Sequence, residues 1–286
     1  MKQVVKDIQT ARATGMNSPF RYAGGKFYAR NQILPLIPNH ECYVEPFCGG
    51  ASIFFAKISS KKSILNDADK DLTNCLTHIR DHPNDLIRRL RNEEATKTRH
   101  HYFKNTYRPR NPLDRAVRWY YLNRTSYSGI MKPVNCFFGY GPKYSMRPEN
   151  WPRNIERTSL KLQGVKITSV DFVRCIETAP DGSFLFIDPP YYRADQSKFY
   201  LHYFNLDDHK RLSDCLKANS KRIKFLLTYD NCPEVVDLYE WAAHIQEATW
   251  NYTINRTDDQ KTKKQRKGAR YQGKELFIMN YSSKVK

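Results

Sequence analysis

Asp188 is preceded by four apolar residues, Phe184 to Ile187, and followed by Pro189, Pro190, Tyr191 and Tyr192. The apolar run reads as a short strand buried on both faces. Proline cannot continue a central strand, so this one ends at the carboxylate. That places an acid at the carboxyl edge of a parallel sheet, where open α/β folds bind ligands. A stiff backbone, one carboxylate and flat aromatic rings suit a planar, nitrogen-bearing group such as a nucleobase. Taken alone, the letters Asp-Pro-Pro-Tyr would equally describe a strand ending in an ordinary turn.

Other positions carry related chemistry. Gly24-Gly25 marks a tight turn, with Lys26 where a helix over Phe27 to Leu36 could begin. Amides at such a start, with the ammonium, could hold a carboxylate or phosphate. A strand through Tyr43 and Val44 ends at Glu45-Pro46; Phe47, Cys48 and the turn Gly49-Gly50 follow, then a helix from Ala51. Strand, glycine turn and helix in that order fit a nucleotide-binding α/β unit. The full G-x-G-x-x-G is missing, which argues against a dinucleotide, and the missing G-K-[ST] argues against a P-loop ATPase. Roughly twenty residues on, a second strand ends at Asp67, where a carboxylate can bind ribose hydroxyls. Asp69 fits better as the cap of a helix starting near Lys70. A third strand, from Val165, ends at Asp171-Phe172, an acid for an amino edge and a ring for the face of an adenine.

The elements around these residues alternate. The run from Lys70 to Tyr121 reads as helical and polar, punctuated by Pro83, Pro109 and Pro112. Leu86, Ile87 and Leu90 form one apolar stripe; Ala116, Val117, Trp119, Tyr120 and Leu122 form another. This is an inserted, mainly helical region. Asn123-Arg124-Thr125 and Tyr127 follow at its end, then Phe137 to Gly141 and Lys143 to Arg147 as a glycine-hinged loop or hairpin. Basic and aromatic residues interleaved in this way suit phosphate contacts and base stacking. Further strands are expected over Arg222 to Tyr229, His244 to Ala248 and Glu275 to Tyr281, with helices over Leu206 to Ala218 and Pro233 to Tyr239. The alternation indicates an α/β sheet.

Bulk properties narrow the partners. The chain has 286 residues, 40% hydrophobic, with 48 Lys and Arg against 29 Asp and Glu, a formal charge of +19. So basic a protein is expected to meet a polyanion, and nucleic acid is the first candidate. No long apolar run or basic amphipathic anchor suggests a membrane. The seven cysteines form no C-x-x-C pair, which argues against a zinc site or a disulfide framework and fits a reducing cytoplasm. Met1 to Ser18 is polar, lacks a signal-peptide core and is expected to be loose. From Arg256 to Lys274 there are eight Lys or Arg against two Asp. That stretch is expected to be a mobile loop gripping phosphates through Lys263, Lys264, Arg266, Lys267 and Arg270.

Six pieces occur in a telling order: Arg21-Tyr22-Ala23-Gly24-Gly25-Lys26, Glu45-Pro46-Phe47-Cys48-Gly49-Gly50, Leu65-Asn66-Asp67, Asn123-Arg124-Thr125, Asp171-Phe172 and Asp188-Pro189-Pro190-Tyr191. Together they resemble the Dam-like (D12 class) DNA adenine-N6 methyltransferases over most of the chain. The resemblance implies an α/β fold: a Rossmann-like S-adenosylmethionine-dependent methyltransferase sheet with an inserted, mainly helical target-recognition domain and hairpin. Residues 1–69 and 159–286 would form the catalytic, cofactor-binding domain and 70–158 the DNA-binding domain. Tyr22, Lys26, Asp67 and Asp188 match cofactor contacts, Glu45 to Gly50 the cofactor loop, and Asp171 with Phe172 the adenine pocket. Asp188, Pro189, Pro190 and Tyr191 would be catalytic, with no metal. Asn123, Arg124, Thr125, Tyr127, Tyr140, Lys143 and the basic residues of the 256–274 stretch would touch DNA. The implied partner is double-stranded DNA, with a cognate restriction endonuclease as a further one, for a monomer acting in the cytoplasm at the nucleoid. Tyr22 stands where many members carry Trp, and Tyr127-Ser128-Gly129-Ile130 replaces the more usual Phe-Asn-Gly-Leu, which leaves the recognised sequence open. Cytosine-N4 or RNA adenine methylation, or a silent DNA-binding protein, are the alternatives.

Overall fold

The computed structural model describes residues 2–143, 145–196, 202–251 and 272–282. Seven strands build one sheet: β1 (Cys42–Glu45), β2 (Lys62–Asn66), β3 (Val165–Thr168), β4 (Phe184–Ile187), β5 (Lys224–Asp230), β6 (His244–Asn251) and β7 (Gln272–Met279). Their order is β3-β2-β1-β4-β5-β7-β6, and β7 alone runs against its neighbours. The chain builds outward from β1 to β3, then crosses back to place β4 on the other side of β1. Strand order therefore reverses between β1 and β4, the point at which the loops diverge and leave a crevice. Both strands are central and buried at every position, which is why Cys42 to Val44 and Phe184 to Ile187 read as apolar runs.

Successive side chains point to opposite faces, and the core divides accordingly. Tyr43, Phe184, Phe186, Leu226 and Phe277 lie on one face. Val44, Leu185, Ile187, Phe225, Leu227 and Ile278 lie on the other. The first cluster continues without a break into the helical insert, through Leu72, Leu86, Tyr120 and Trp151. Both apolar stripes read from the sequence are buried there. Pro83 and Pro112 open the helices Pro83–Leu90 and Pro112–Thr125, where a missing N–H is harmless. The helix expected from Phe27 is confined to Arg30–Ile33 and tightens to a 3-10 turn at Leu34–Leu36, because Pro35 removes the next amide donor.

The N-terminal stretch is not loose. Lys2–Ala13 is a helix packed on Trp151–Leu162. Two long-range ties hold it. The fully buried Lys161 ammonium donates to the carbonyls of Thr14 (2.7 Å) and Lys57 (2.8 Å), and Arg12 donates to the Ser60 carbonyl (2.8 Å). The expected hairpin is reduced to a single antiparallel bridge, Ser126 to Phe138. It is tight because Gly139 lies against Tyr127, where a Cβ would come within 2.3 Å of the Tyr127 Cα.

Candidate active site

A cavity of about 750 Å³ opens at the reversal point, above the carboxyl ends of β1, β4 and β5 and beside the entry of β7. Every residue expected to bind the cofactor or do the chemistry lines it except Pro46. The Pro46 carbonyl instead accepts from the Asn66 amide (3.0 Å). Asn66 ends β2 and also donates to the Val170 carbonyl and accepts from Thr168 and Val170. One buried, fully bonded amide thus ties together the loops that follow β1 and β3.

Asp188 leaves the end of β4 and meets two donors on its Oδ1. The Lys26 ammonium lies 2.6 Å away and the Thr228 hydroxyl, from β5, 2.8 Å. Lys26 also donates to the Gly24 carbonyl (3.1 Å) and stands 5.0 Å from the centre of the Tyr191 ring. The Tyr191 hydroxyl donates to Glu275 Oε2 on β7, and that oxygen is 3.9 Å from Lys26. Burial pushes the Glu275 carboxyl up to about 7, with Asp188 and Asp230 adding to the rise and Lys26 opposing it. Past the two prolines, Asp230 accepts the backbone amides of Tyr192 (2.9 Å) and Arg193 (2.8 Å), which fixes the course of the loop.

The other end of the cavity is built around the glycine turn. Gly49 has φ +45, and a Cβ there would reach within 2.8 Å of the Tyr22 ring. Tyr22 packs against the turn only because Gly49 and Gly50 lack side chains. Asp67 accepts from the Gly49 amide (2.8 Å) and the Asp69 amide (2.9 Å), and burial raises its carboxyl to about 6. Asp69 caps the helix Lys70–Asp81 through the amides of Asp71 and Leu72, as its position suggested. Glu45, buried, accepts from the Tyr43 hydroxyl (2.7 Å) and the Phe54 amide (2.9 Å); desolvation drives it up to about 8. Phe47, Phe172 and Phe204 form a ring cluster with centroids 5.3 to 5.7 Å apart. Arg211 covers Phe172 at 4.9 Å and pairs with Asp171 at 3.0 Å, while Asp171 caps the short helix Phe172–Glu177.

The residues expected to face DNA divide into three groups. Asn123, Arg124 and Thr125 are 0%, 5% and 0% exposed. Asn123 donates to the Arg21 carbonyl (2.7 Å) and accepts from its amide (3.0 Å). Arg124 donates to the Pro19 carbonyl (3.1 Å), and Thr125 meets the buried His100 (2.8 Å). In this structure they present no surface to a phosphate; they join the helical insert to the segment carrying Tyr22 and Lys26. Tyr127 and Lys143 are exposed and Tyr140 is half-buried, with Phe137 exposed beside them. Lys263, Lys264, Arg266, Lys267 and Arg270 lie outside the described residues.

A family model for the D12 class N6 adenine-specific DNA methyltransferases matches residues 22–254, most of the chain and every stretch that lines the cavity before β7. The chain belongs to that family. It is 30% identical to the Type II methyltransferase M.MjaIII of Methanocaldococcus jannaschii, over 92% of this chain and 99% of that one. It is 26% identical to the Type II methyltransferase M1.LlaDCHI of Lactococcus lactis subsp. cremoris, over 93% and 96%. The DNA adenine methylase of Escherichia coli is 25% identical over 71% and 76%. The sheet is accordingly the Rossmann-like sheet of a methyltransferase, and the enzyme is an adenine-specific DNA methyltransferase.

For this D12 methyltransferase, three residues beside Asp188 escaped the reading of the sequence: Thr228, Asp230 and Glu275. Thr228 and Asp230 are polar interruptions late in an apolar strand, and Glu275 is an acid heading the run Leu276 to Met279. Those are the local signals available. Among the described residues no helix is long and apolar enough to cross a membrane, and no group of three His, Cys, Asp or Glu could hold a metal. All seven cysteines are unpaired and buried.

Proposed function

We propose that this enzyme methylates N6 of an adenine swung out of a short duplex DNA sequence, with Asp188 to Tyr191 as the reacting centre and S-adenosylmethionine as methyl donor. The observation that carries the reading is Asp188 itself. It stands at the strand-order reversal, fixed by Lys26 and Thr228 on Oδ1, in one cavity with the Gly49-Gly50 turn.

The lining fits the donor. Tyr22 on the bare glycine turn and the Phe47–Phe172 pair offer flat apolar walls for an adenosyl group. Asp67 is a carboxylate for ribose hydroxyls. When bound, S-adenosylmethionine supplies a methyl group on a positively charged sulfur that leaves neutral.

The N6 amino group of adenine is a weak nucleophile because its lone pair is delocalised into the ring. Asp188 corrects this. Among the described residues no hydrogen bond is made to its Oδ2, so that oxygen is left to accept an N6 proton. The Pro189 carbonyl would take the other. Two acceptors favour a pyramidal nitrogen with its lone pair aimed at the methyl. The N6 lone pair would form the new bond to the methyl carbon while the pair of the broken bond leaves with the donor. The Asp188 carboxylate would stabilise the positive charge arriving at N6, and loss of one N6 proton would end it. Tyr191 would stack on the extruded base, and orientation supplies the rest.

Tyr127, Tyr140 and Lys143, at the mouth of the helical insert, and the basic 256–274 stretch would hold the duplex, in keeping with the charge of +19. On this division residues 1–69 and 159–286 bind the donor and do the chemistry, and 70–158 read the target. The type II names of two relatives support a place beside a cognate restriction endonuclease. The enzyme would act as a monomer in the cytoplasm, at the nucleoid.

The test is transfer of labelled methyl from S-adenosylmethionine to unmethylated DNA, with the modified base identified and its positions mapped. N6-methyladenine at one short motif is expected. Asp188→Ala should lower the rate at least about a thousandfold while DNA affinity stays within about threefold. A near-normal rate in that variant would remove Asp188 from the chemistry.

A further inference from the structure

Glu275 is the least expected group in the cavity. It sits on β7, opposite Asp230 of β5 and the uncharged Ala248 of β6. Its side chain is 3% exposed. Oε2 takes the Tyr191 hydroxyl and faces Lys26 at 3.9 Å. Oε1 is buried with no hydrogen-bond partner among the described residues. A buried carboxylate oxygen left without a donor weakens a fold rather than strengthening it, so packing does not account for this residue.

The charges around it do. Lys26 lies between two carboxylates, Asp188 at 2.6 Å and Glu275 at 3.9 Å. Facing Asp188 alone, the ammonium would form a neutral pair and cancel the charge needed beside N6. With Glu275 ionised, the three groups carry a net charge of minus one in a site of low dielectric, which complements positive charge arriving at N6. With Glu275 protonated, the sum is zero. Glu275 also holds the hydroxyl of the ring that would lie on the target base.

We propose that Glu275 is a second carboxylate of the active centre, a positioning residue that acts on methyl transfer through Lys26 and the Tyr191 hydroxyl. The proposal rests on the reading of Asp188 given above. Its ionisation then governs the rate. The charged and titratable groups facing it are Lys26 from the N-terminal motif, Asp188 and Tyr191 from the loop after β4, and Asp230 from β5; β6 presents none at the opposing position. Its proton affinity is raised to about 7, so the active, ionised form appears as pH rises through neutrality.

Two readouts test this, and one needs no donor. The single-turnover rate of wild type, measured from about pH 6 to about pH 9, should climb about tenfold in all, with most of the rise below about pH 8, and then level. In the free protein, the infrared band of protonated carboxyls should fade over the same range, with Glu45 and Asp67 contributing to it, so the Glu275 share is the part that a variant at the Glu275 site removes or shifts. Glu275→Gln should lose the climb and the Glu275 share of the band, and its plateau rate should fall at least about tenfold with the KM for DNA within about threefold. Tyr191→Phe keeps the ring but deletes a hydrogen bond that favours the ionised form, so it should shift the climb to higher pH. Tyr191→Phe, which should move the Glu275 share of the band to higher pH together with the climb, decides the matter even if Glu275→Gln folds poorly. A flat wild-type profile, or a climb unchanged in Glu275→Gln, overturns the proposal. Asp188→Ala tests the reading beneath it separately, since its loss of rate on the high-pH plateau, where Glu275 is ionised, does not depend on the titration of Glu275.

Discussion

Both hydrogen bonds to Asp188 fall on one oxygen, and Thr228 makes one of them from inside β5. Thr228 is fully buried and touches the acid by a single hydroxyl, so Thr228→Val removes the bond with little change of shape. A hydrogen bond to a charged group is worth about 1.5–3 kcal/mol. If that bond orients Asp188 for the transition state, single-turnover methylation should slow by about tenfold or more, with affinity for S-adenosylmethionine and the melting temperature little changed. An unaltered rate would mean that Lys26 alone orients the acid. Asp67 and Glu45 show the other use of carboxylates here: each accepts amide or hydroxyl donors and shapes the loop on which a ligand would lie.

At the scale of elements, the helix Pro112–Thr125 reaches the site through its last turn. Asn123 holds both the amide and the carbonyl of Arg21, next to Tyr22, and the next turn closes on the same residue. Gly129, at φ +72, lies where a Cβ would meet the Arg21 carbonyl at 2.1 Å. The helical insert and the N-terminal motif therefore keep their spacing together. Asn123→Ala leaves two buried backbone groups without partners and should lower unfolding free energy by about 2–4 kcal/mol in urea. It should also weaken S-adenosylmethionine binding, since Tyr22 and Lys26 would lose their anchor. DNA affinity measured with S-adenosylmethionine saturating should stay within about threefold, because Asn123 presents no surface to DNA. A loss of about tenfold or more would return Asn123 to the DNA surface.

At the scale of the whole molecule, three buried carboxyls on one rim give the fold a pH signature. Glu45, Glu275 and Asp67 are raised by burial to about 8, about 7 and about 6, from ordinary values of 4.5, 4.5 and 3.8. Between those limits the folded chain keeps protons that the unfolded chain has released. Stability is then highest below the unfolded values and falls as pH rises through the folded ones. Each group contributes up to about 1.4 kcal/mol per pH unit over its window. Lys57 and Lys161, lowered to about 8 by burial, are protonated in both states below that pH and leave the slope alone. Urea unfolding should therefore show the free enzyme weaker at about pH 8 than at about pH 5, and Glu45→Gln should flatten the difference. Equal stability at the two pH values would show that these three carboxyls are solvated or ion-paired in solution.

The sequence by itself determined the strands, the acids that end three of them, the glycine turn and the helical insert. These are written in contiguous residues: a strand buried on both faces shows as an apolar run, proline stops it, and glycine marks where a neighbouring ring must come close. The α/β order and the positions of Asp67, Asp171 and Asp188 were legible for that reason. Tertiary structure alone decided which groups surround Asp188. Lys26 is 162 residues away from it and Glu275 is 84 from Tyr191, and no local pattern encodes a pairing across β4, β5 and β7. It also reversed the expected exposure of Asn123, Arg124 and Thr125. A polar triplet after a helix reads as surface, but its partners, Arg21, Pro19 and His100, arrive from distant segments and bond it in the interior, leaving Arg124 Nε buried without a partner among the described residues. The N-terminal helix follows the same rule: its own residues are too polar to order it, and Lys161 does so from 147 residues away. Burial of a polar group depends on where its partner comes from, and only the folded chain supplies that.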